Sequence, residues 1–301
     1  MHEEPIACWP MIILDGGTGT LIQSLGAPMS DDTWCVDANL THPEIVREAH
    51  RQYLDAGAEV LIANTYSTSP LLFNHLGRDA DVAVIDAAAV RLAREASGGS
   101  VPVAGSFSVM RPGIPGSDRS EMLHQWPEAE ARRLFADKAA GLLKAGADLI
   151  AMEMMRDADY SVWATEAAVA TGLPVWIGIA VEADSDGRLT GFGRPNWLLE
   201  DFVEPLVRCA PAMVSVMHTA PPATAPALEI VRRHWRGSLG AYAESGYFAM
   251  PDWQFVDIIP EGEYVDLALQ WAERFDLSMI GGCCGIGPSH IAALRAAFPA
   301  T

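Results

Sequence analysis

The chain has 301 residues, half of them apolar, and a formal net charge of −19. This composition supports a large buried core and argues against disorder. A strongly negative protein repels a phosphate backbone, and no basic stripe interrupts the negative charge, so we expect no nucleic-acid partner.

The sequence shows no segment for membrane insertion or export. No run of about 18 uncharged apolar residues occurs, which is the length a spanning helix needs. The first ten residues carry His2, Glu3 and Glu4 where an export signal has a basic region followed by an apolar one. We therefore expect a cytoplasmic protein with no membrane partner.

Eight short apolar runs recur along the chain, and each predicts a β-strand. Most are almost continuously apolar, which is typical of parallel strands buried on both faces. In chain order they are Met11 to Thr18, Val60 to Tyr66, Val101 to Ser108, Leu149 to Met155, Pro174 to Glu182, Met213 to Thr219, Arg236 to Ser245 and Leu277 to Gly285.

Amphipathic stretches at helical spacing separate these runs. They include His42 to Ala56, Ala80 to Ala96, Pro127 to Ala145, Ala158 to Thr171, Pro226 to Trp235 and Tyr264 to Phe275. Several end in a glycine turn, as at Gly57 and Gly146, because glycine adopts the left-handed conformation that ends a helix. Eight strand and helix units in about 250 to 300 residues predict a (β/α)8 TIM barrel, with residues 1–301 as one domain.

Polar residues that follow the strands converge at one face of such a barrel. Two longer polar stretches, Met110 to Gln125 and Ala183 to Asn196, also follow strands and should border this catalytic mouth. The candidates at the mouth are Asp15 to Thr20, Asn64, Thr65, Tyr66, Ser106, Ser108, Glu153, Glu182, His218, Tyr242, Glu244, Cys283 and Cys284.

The most specific pattern is the double cysteine in Gly281-Gly282-Cys283-Cys284-Gly285. Neighbouring strand side chains point to opposite faces, so both thiols can meet one ligand only where the backbone bends, and the flanking glycines permit that bend. A catalytic zinc needs a third donor and keeps a fourth position open for substrate. His218, after the sixth predicted strand, can supply this donor; the alternative is a buried, hydrogen-bonded histidine.

The other three cysteines follow no metal-binding or disulfide spacing. Cys8, Cys35 and Cys209 have no partner pattern. Free cysteine usually behaves as a small apolar residue, so we expect all three to be inert.

The glycine-rich stretch Asp15 to Thr20 does not match a nucleotide site, because it lacks the P-loop lysine and has Ile22 where a dinucleotide fingerprint has its third glycine. We expect a turn that leaves Asp15 exposed at the mouth, suited to an ammonium-bearing substrate. Glu153 interrupts an apolar strand, and since an unpaired buried charge is costly, we expect it to have a cationic partner. Asn64 and Thr65 can donate hydrogen bonds to a ligand, although an ordinary barrel layer uses similar residues.

These motifs resemble the homocysteine S-methyltransferase family over nearly the whole chain. The resemblance rests on Leu14 to Thr20, on His50 to Ala58 followed by Ala63 to Tyr66, and on Gly281 to Gly285 followed by Pro288 and His290. The reaction it implies is the transfer of a methyl group from an onium donor, such as S-methylmethionine or S-adenosylmethionine, to homocysteine, which gives methionine.

The resemblance also implies roles for particular residues. Cys283 and Cys284 would bind Zn2+. Asp15 and Glu153 would hold the amino group of homocysteine, and the turn Gly16-Gly17-Thr18 would help to bind its carboxylate. The partners implied are therefore small molecules, homocysteine and a methyl donor.

Two positions depart from the family pattern. The family's third zinc ligand is a cysteine at the end of the sixth strand, where this chain has His218. A neutral imidazole in place of a thiolate makes the site one charge more positive, so a bound thiolate should be more acidic and less nucleophilic. The second departure is Glu244, where the family tends to have asparagine; an added carboxylate would favour a positively charged donor or mark a different thiol substrate.

Two alternatives stay open on the sequence alone. One is a diverged barrel methyltransferase with another donor or thiol acceptor, and the other is a ligand-binding barrel without catalysis. The oligomeric state also stays open, because no coiled-coil heptad or exposed apolar helix stands out.

Overall fold

The computed structural model describes residues 11–114, 117, 119–121, 123–249 and 254–299. Its strands in chain order are β1 (Ile12–Ile13), β2 (Leu61–Ala63), β3 (Val103–Ser108), β4 (Leu149–Met155), β5 (Val175–Ala183), β6 (Leu189–Gly191), β7 (Arg194–Leu198), β8 (Met213–Met217), β9 (Ser238–Tyr242), β10 (Tyr247–Ala249), β11 (Gln254–Val256) and β12 (Met279–Ile280).

The helices alternate with the central strands. They are α1 (Thr18–Ser24), α2 (Ala38–Thr41), α3 (Pro43–Asp55), α4 (Pro70–His75), α5 (Asp79–Ser97), α6 (Glu128–Ala145), α7 (Tyr160–Val169), α8 (Leu199–Arg208), α9 (Pro221–His234), α10 (Glu261–Phe275) and α11 (Pro288–Ala297). Gly57 and Gly146 take the positive φ angles, 98° and 87°, that the predicted glycine turns require.

Eight parallel strands form the central sheet, in the order β1-β12-β9-β8-β5-β4-β3-β2. The two ends of this order meet, because Leu14 forms a parallel bridge with Val60. The backbone N–H of Glu59 also donates to the carbonyl of Ile13 at 2.7 Å. The sheet is thus closed, and the predicted (β/α)8 barrel is confirmed.

The strands bury side chains on both faces. Along β4, Ile150 and Met152 belong to the large apolar layer between the strands and the helices, whereas Leu149 and Ala151 pack inside the barrel. Side chains alternate along a strand, so Glu153 shares the inward face of Ala151. The barrel interior therefore holds a carboxylate at the end of β4.

The stretch Ala183 to Asn196, predicted as a polar loop, contains a strand pair. The end of β5 pairs antiparallel with β6, and β6 pairs with β7. A second antiparallel pair, β10 with β11, follows β9. Both hairpins extend from carboxyl ends of barrel strands and border the mouth.

Several predicted boundaries were wrong. The eighth predicted strand, Leu277 to Gly285, is shorter than expected, since β12 ends at Ile280. The first strand ends earlier than expected, because α1 begins at Thr18. Helix α9 begins at Pro221, five residues before the predicted start, with Pro226 inside it. Proline fits the first position of a helix because its missing N–H has no helical partner there.

Some expectations fall outside the residues that the structure describes. Residues 1–10, on which the argument against an export signal rests, are among them, as is Cys8. The assignment of residues 1–301 to one domain stays a prediction. Within the described ranges, no helix is both long enough and apolar enough to cross a membrane.

Candidate metal centre

A cavity opens at the carboxyl ends of the barrel strands, where the sequence predicts the catalytic mouth. Most of the predicted site residues line it. They come from loops or strand ends at β1, β2, β4, β8 and β12, and are Gly16, Gly17, Thr18, Asn64, Glu153, His218, Cys283 and Cys284.

His218, Cys283 and Cys284 place one ligand atom each within 4.8 Å of one another. His218 Nδ1 and Cys283 Sγ lie 3.4 Å apart. The thiols can face one point because the chain leaves β12 in a turn, in which Gly285 has a φ of 77°. The predicted bend at the double cysteine is therefore present.

The spacing of these donors suits zinc. Zinc–sulfur bonds of about 2.3 Å and zinc–nitrogen bonds of about 2.0 Å, at tetrahedral angles, put a nitrogen and a sulfur ligand about 3.5 Å apart. The 3.4 Å between His218 Nδ1 and Cys283 Sγ agrees with this value. Two sulfurs and one imidazole nitrogen leave a fourth tetrahedral position for a substrate atom.

The imidazole of His218 is held on three sides. Its Nε2 lies 3.1 Å from Glu244 Oε2. When Nε2 carries the proton, the ring donates to Glu244 and turns the lone pair of Nδ1 towards Cys283. Phe192 packs edge-on against the ring, with centroids 4.8 Å apart. Glu244, predicted to contact substrate, thus contacts His218, and a direct substrate contact stays a prediction.

His218 has a φ of 41°, in the left-handed region. This conformation is uncommon for a residue with a side chain and costs free energy that the surrounding structure must offset. Such backbone strain concentrates at functional sites. The strain at His218 accompanies the turn that brings its ring to the double cysteine.

The glycine turn after β1 packs directly against the cysteine turn. A Cβ atom on Gly17 would lie 2.6 Å from Thr20 Oγ1 and 3.0 Å from the carbonyl oxygen of Cys283. A Cβ on Gly16 would lie 2.3 Å from the carbonyl oxygen of Ile286. The two glycines are required because the two turns approach more closely than any side chain allows.

Glu153 projects into the cavity from β4 and is 8% exposed. Burial raises its pKa to about 7, and a hydrogen bond donated by the hydroxyl of Ser106 partly opposes this shift. No ion pair to Glu153 forms among the described residues, although the charge of a protonated His218 also opposes the rise in its pKa. The expected cationic partner of Glu153 stays a prediction, and a ligand ammonium would supply it.

The expectation that Asp15 is exposed was wrong, because the residue is 0% exposed. Its Oδ2 accepts the backbone N–H of Ile62 at 2.7 Å, while Oδ1 has no hydrogen-bond partner within the described part of the chain. Burial, with the nearby charge of Glu153, raises the pKa of Asp15 well above its usual value. Asp15 lies beneath the cavity, and its contact with substrate stays a prediction.

Asn64 and Thr65 make hydrogen bonds within the protein. The hydroxyl of Thr65 donates to the carbonyl of Ser106 at 2.8 Å, which joins β2 to β3. The amide of Asn64 donates to the carbonyl of Cys35 at 3.1 Å. Asn64 still lines the cavity, whereas Thr65 is fully buried behind it. Their predicted role in substrate binding is untested.

Four aromatic residues line the cavity wall, of which Tyr66 was predicted at the mouth and the other three were not assigned from the sequence. Trp34 and Tyr66 stack with ring centroids 5.3 Å apart. Phe248 and Phe255 come from β10 and β11, and their rings lie 6.2 Å apart. The available signal was the clustering of aromatic residues after the seventh predicted strand, between Tyr247 and Phe255. Aromatic faces attract cations, so this wall suits a cationic ligand.

Two of the cysteines expected to be inert are described. Burial raises the pKa of Cys35 to about 12 and that of Cys209 to about 11. Both therefore stay protonated near neutral pH, and a thiol is a much weaker nucleophile than a thiolate. Cys35 nevertheless lines the cavity, where its thiol donates to the side-chain oxygen of Asn64 at 3.2 Å.

Known proteins match this chain along nearly its full length. It is 29% identical to homocysteine S-methyltransferase of Escherichia coli, over 95% of this chain and 94% of that protein. It is 26% identical to betaine–homocysteine S-methyltransferase 1 of Rattus norvegicus, over 97% of this chain and 73% of that one.

Structural and family comparisons agree with these matches. The metallated form of the homocysteine methyltransferase MmuM from E. coli has the same fold, with a TM-score of 0.75 and 24% identity over 95% of this chain and 96% of that chain. The family model for homocysteine S-methyltransferase matches residues 12–298. This chain therefore belongs to the homocysteine S-methyltransferase family of methyltransferase enzymes.

Proposed function

We propose that this protein is a zinc-dependent enzyme that transfers a methyl group from an onium donor to homocysteine and forms methionine. The observation that carries the proposal is the convergence of His218, Cys283 and Cys284 within 4.8 Å at the cavity. The family membership supports the acceptor, and the aromatic wall supports a cationic donor.

Cys283, Cys284 and the Nδ1 of His218 would hold the zinc. In the metal-free protein, the hydrogen bond and charge of Cys284, together with burial, raise the pKa of Cys283 well above its usual value. Two neighbouring thiolates repel each other, so a bound cation is needed to keep both ionised. When bound, zinc lowers the pKa of a substrate thiol and so supplies a thiolate at neutral pH without a separate general base.

The remaining residues bind and orient the substrates. The carboxylate of Glu153 would accept the ammonium of homocysteine. The turn Gly16-Gly17-Thr18 would help to bind its carboxylate, although the N–H of Gly17 already donates to the carbonyl of Ile286 at 3.0 Å. Trp34, Tyr66, Phe248 and Phe255 would surround the onium group of the donor. S-Methylmethionine and S-adenosylmethionine carry such a group and are the donors that we propose first.

Methionine formation from homocysteine with each donor tests the proposal. The purified full chain is assayed before and after removal of metal by a chelator, and again after zinc is added back. We expect activity with at least one onium donor, its loss on chelation and its recovery with zinc. Activity that survives complete metal removal would contradict the zinc requirement, and no methionine with any onium donor would contradict the reaction.

A further inference from the structure

Three arginine side chains lie buried together at the barrel mouth, outside the metal centre. Arg111 follows β3, Arg156 follows β4 and Arg194 begins β7; their exposed fractions are 3%, 2% and 1%. Arginine is rarely buried unless it is paired, because an ionised group loses its hydration. We call this set the arginine cluster.

The guanidinium groups of the arginine cluster have donors without acceptors. The Nε atoms of Arg111, Arg156 and Arg194, and Nη2 of Arg194, are buried and have no hydrogen-bond partner among the described residues. Within the described ranges, the one side-chain hydrogen bond of Arg194 is donated to the carbonyl of its neighbour Gly193, at 2.9 Å. These donors can form the paired hydrogen bonds by which arginine binds a carboxylate.

Among the described residues, the buried charges of the arginine cluster do not balance. The buried carboxylate beside it in this part of the chain is Asp157, whose Oδ2 lies 3.9 Å from Arg111. Glu182 also faces Arg156, but it receives two hydrogen bonds from Arg119, and Asp159 is exposed. Burial and the charges of Arg156 and Arg111 lower the pKa of Arg194 to about 9.

The arginine cluster adjoins the wall of the cavity next to the metal centre. Arg156 donates to the carbonyl of Phe192 at 3.2 Å, and the ring of Phe192 packs against His218. Tyr66 lines the cavity, and the positive charge of Arg156 partly opposes the rise in the pKa of its phenol that burial causes. None of the three arginines is among the described residues that line the cavity, so the carboxylate of a donor would reach them past the side chains of Tyr66 and Phe192.

We propose that Arg111, Arg156 and Arg194 form a binding site for the carboxylate of the methyl donor. The inference rests on the proposed function for the identity of the ligand. Its charge is inferred from the buried guanidinium groups, whose Nε atoms and Arg194 Nη2 have no acceptor among the described residues, although Arg156 also donates to the hydroxyl of Ser120 at 3.3 Å. The preferred donors are onium compounds that carry a carboxylate, whose cation meets the aromatic wall and whose anion meets the arginine cluster.

Two sulfonium compounds that differ only in the carboxylate test this site. Carboxymethyl-dimethylsulfonium and trimethylsulfonium are titrated by calorimetry into the full chain as purified. We expect wild type to bind the first about tenfold or more tightly, the range for hydrogen bonds between charged groups. Arg194→Met and Arg156→Met should each reduce this preference to about threefold or less without weakening trimethylsulfonium binding. Equal binding by wild type, or a preference that survives in both variants, would overturn the proposal.

Control variants distinguish loss of the carboxylate site from a general loss of folding. Arg188→Met, at an exposed arginine in the β5–β6 turn, should keep the wild-type preference. Because Arg194→Met removes a buried charge without a full partner, we expect its Tm to equal or exceed that of wild type without ligand. Should it not fold, Arg194→Lys keeps the charge without the planar fork, and its preference should fall between wild type and Arg156→Met.

Propionate carries the carboxylate without an onium group. It should raise the Tm of wild type and leave that of Arg194→Met unchanged, because a ligand stabilises only the protein that binds it. This measurement does not depend on methyl transfer. Stabilisation by propionate without any methionine formation would refute the proposed reaction and support the anion site. Methionine formation without a preference for the carboxylate would support the reaction and refute the anion site.

Discussion

His218 Nδ1 lies 3.4 Å from Cys283 Sγ, although 65 residues separate them in the chain. The barrel brings them together because β8 and β12 end at the same face, with β9 between them. On its other side the imidazole meets Glu244, which follows β9. Three neighbouring barrel segments thus supply a thiol, an imidazole and a carboxylate, and the imidazole contacts both of the other groups.

We expect Glu244 to strengthen metal binding through His218. A carboxylate that accepts the second ring N–H of a metal-bound histidine fixes its tautomer and orientation, and its removal typically weakens metal binding about 10- to 100-fold. Glu244→Ala should lower zinc affinity by this factor, measured by competition with a chelator. Glu244→Gln, which keeps an acceptor oxygen, should lose less.

Cobalt substitution and a surface variant provide the controls for Glu244. The visible absorption of the Co2+-loaded protein should shift in Glu244→Ala, because the ring loses its orientation. Glu263→Ala, at an exposed glutamate on α10, should match wild type in affinity and spectrum. Unchanged zinc affinity in Glu244→Ala would show that Glu244 does not act through His218.

Replacing His218 by cysteine should retain the metal and change the pH dependence. A third thiolate makes the site one charge more negative than an imidazole does, so the thiol of bound homocysteine should have a higher pKa. We therefore expect His218→Cys to bind one zinc. As the pH is lowered, kcat/KM decreases when the substrate thiol becomes protonated, and this decrease should begin at a higher pH in His218→Cys than in wild type. An unshifted pH profile would contradict this electrostatic account.

Glu153 should make the metal-free protein less stable as the pH rises. Its folded-state pKa of about 7 exceeds the ordinary 4.5, so the folded state holds the proton more tightly than the unfolded state does. Its contribution to stability is therefore greatest below pH 4.5 and is lost as the pH rises through 7. Glu153→Gln should raise Tm at pH 8.5 by about 2–4 °C, with a smaller gain at pH 6.

Glu153→Gln should also weaken homocysteine binding, because it removes the carboxylate that would accept the ammonium group of homocysteine. We expect KM for homocysteine to rise about tenfold or more, in the range for a hydrogen bond between charged groups. Ser106→Ala removes the hydroxyl that donates to Glu153 and should raise KM less. A KM unchanged in Glu153→Gln would place the ammonium elsewhere.

Gly17→Ala should disrupt the metal centre without unfolding the barrel. The added Cβ would lie 3.0 Å from the carbonyl oxygen of Cys283 and 3.4 Å from the Cα of Cys284, so the cysteine turn must move. We expect zinc affinity to fall at least about tenfold, since thiolate ligands tolerate only small displacements. Gly141→Ala on α6, where a Cβ meets nothing within 4 Å, should bind zinc like wild type.

The barrel could be predicted from the sequence because each of its strands and helices leaves a pattern within a short segment of the chain. Each central strand is an apolar run buried on both faces, and glycine turns such as Gly57 and Gly146 mark the helix ends. The strands β6 and β7 were missed because the polar turn before them, Asp184 to Gly187, made the whole stretch resemble a loop. The start of α9 was missed because Pro226 is tolerated within the helix, while Pro221 occupies its first position.

The part of the metal centre that could be predicted is the pair Cys283 and Cys284, because adjacent metal-binding residues form a recognisable motif in the sequence. The contact of Glu244 with His218 could not be predicted, since it depends on the strained backbone at His218. The arginine cluster was also missed, because Arg111, Arg156 and Arg194 come from three separate segments and form no pattern in the chain. The burial of these three charges follows from the fold, whereas the burial of Glu153 was readable from the apolar strand around it.

Zinc content tests the central claim most directly. Elemental analysis of the purified full chain is compared with His218→Ala and Cys283→Ala, and methionine formation is assayed on the same samples. The account predicts one zinc per chain in wild type, and loss of both zinc and activity in the two variants. A wild type that takes up no zinc and forms no methionine, or a His218→Ala variant that keeps both, would contradict it.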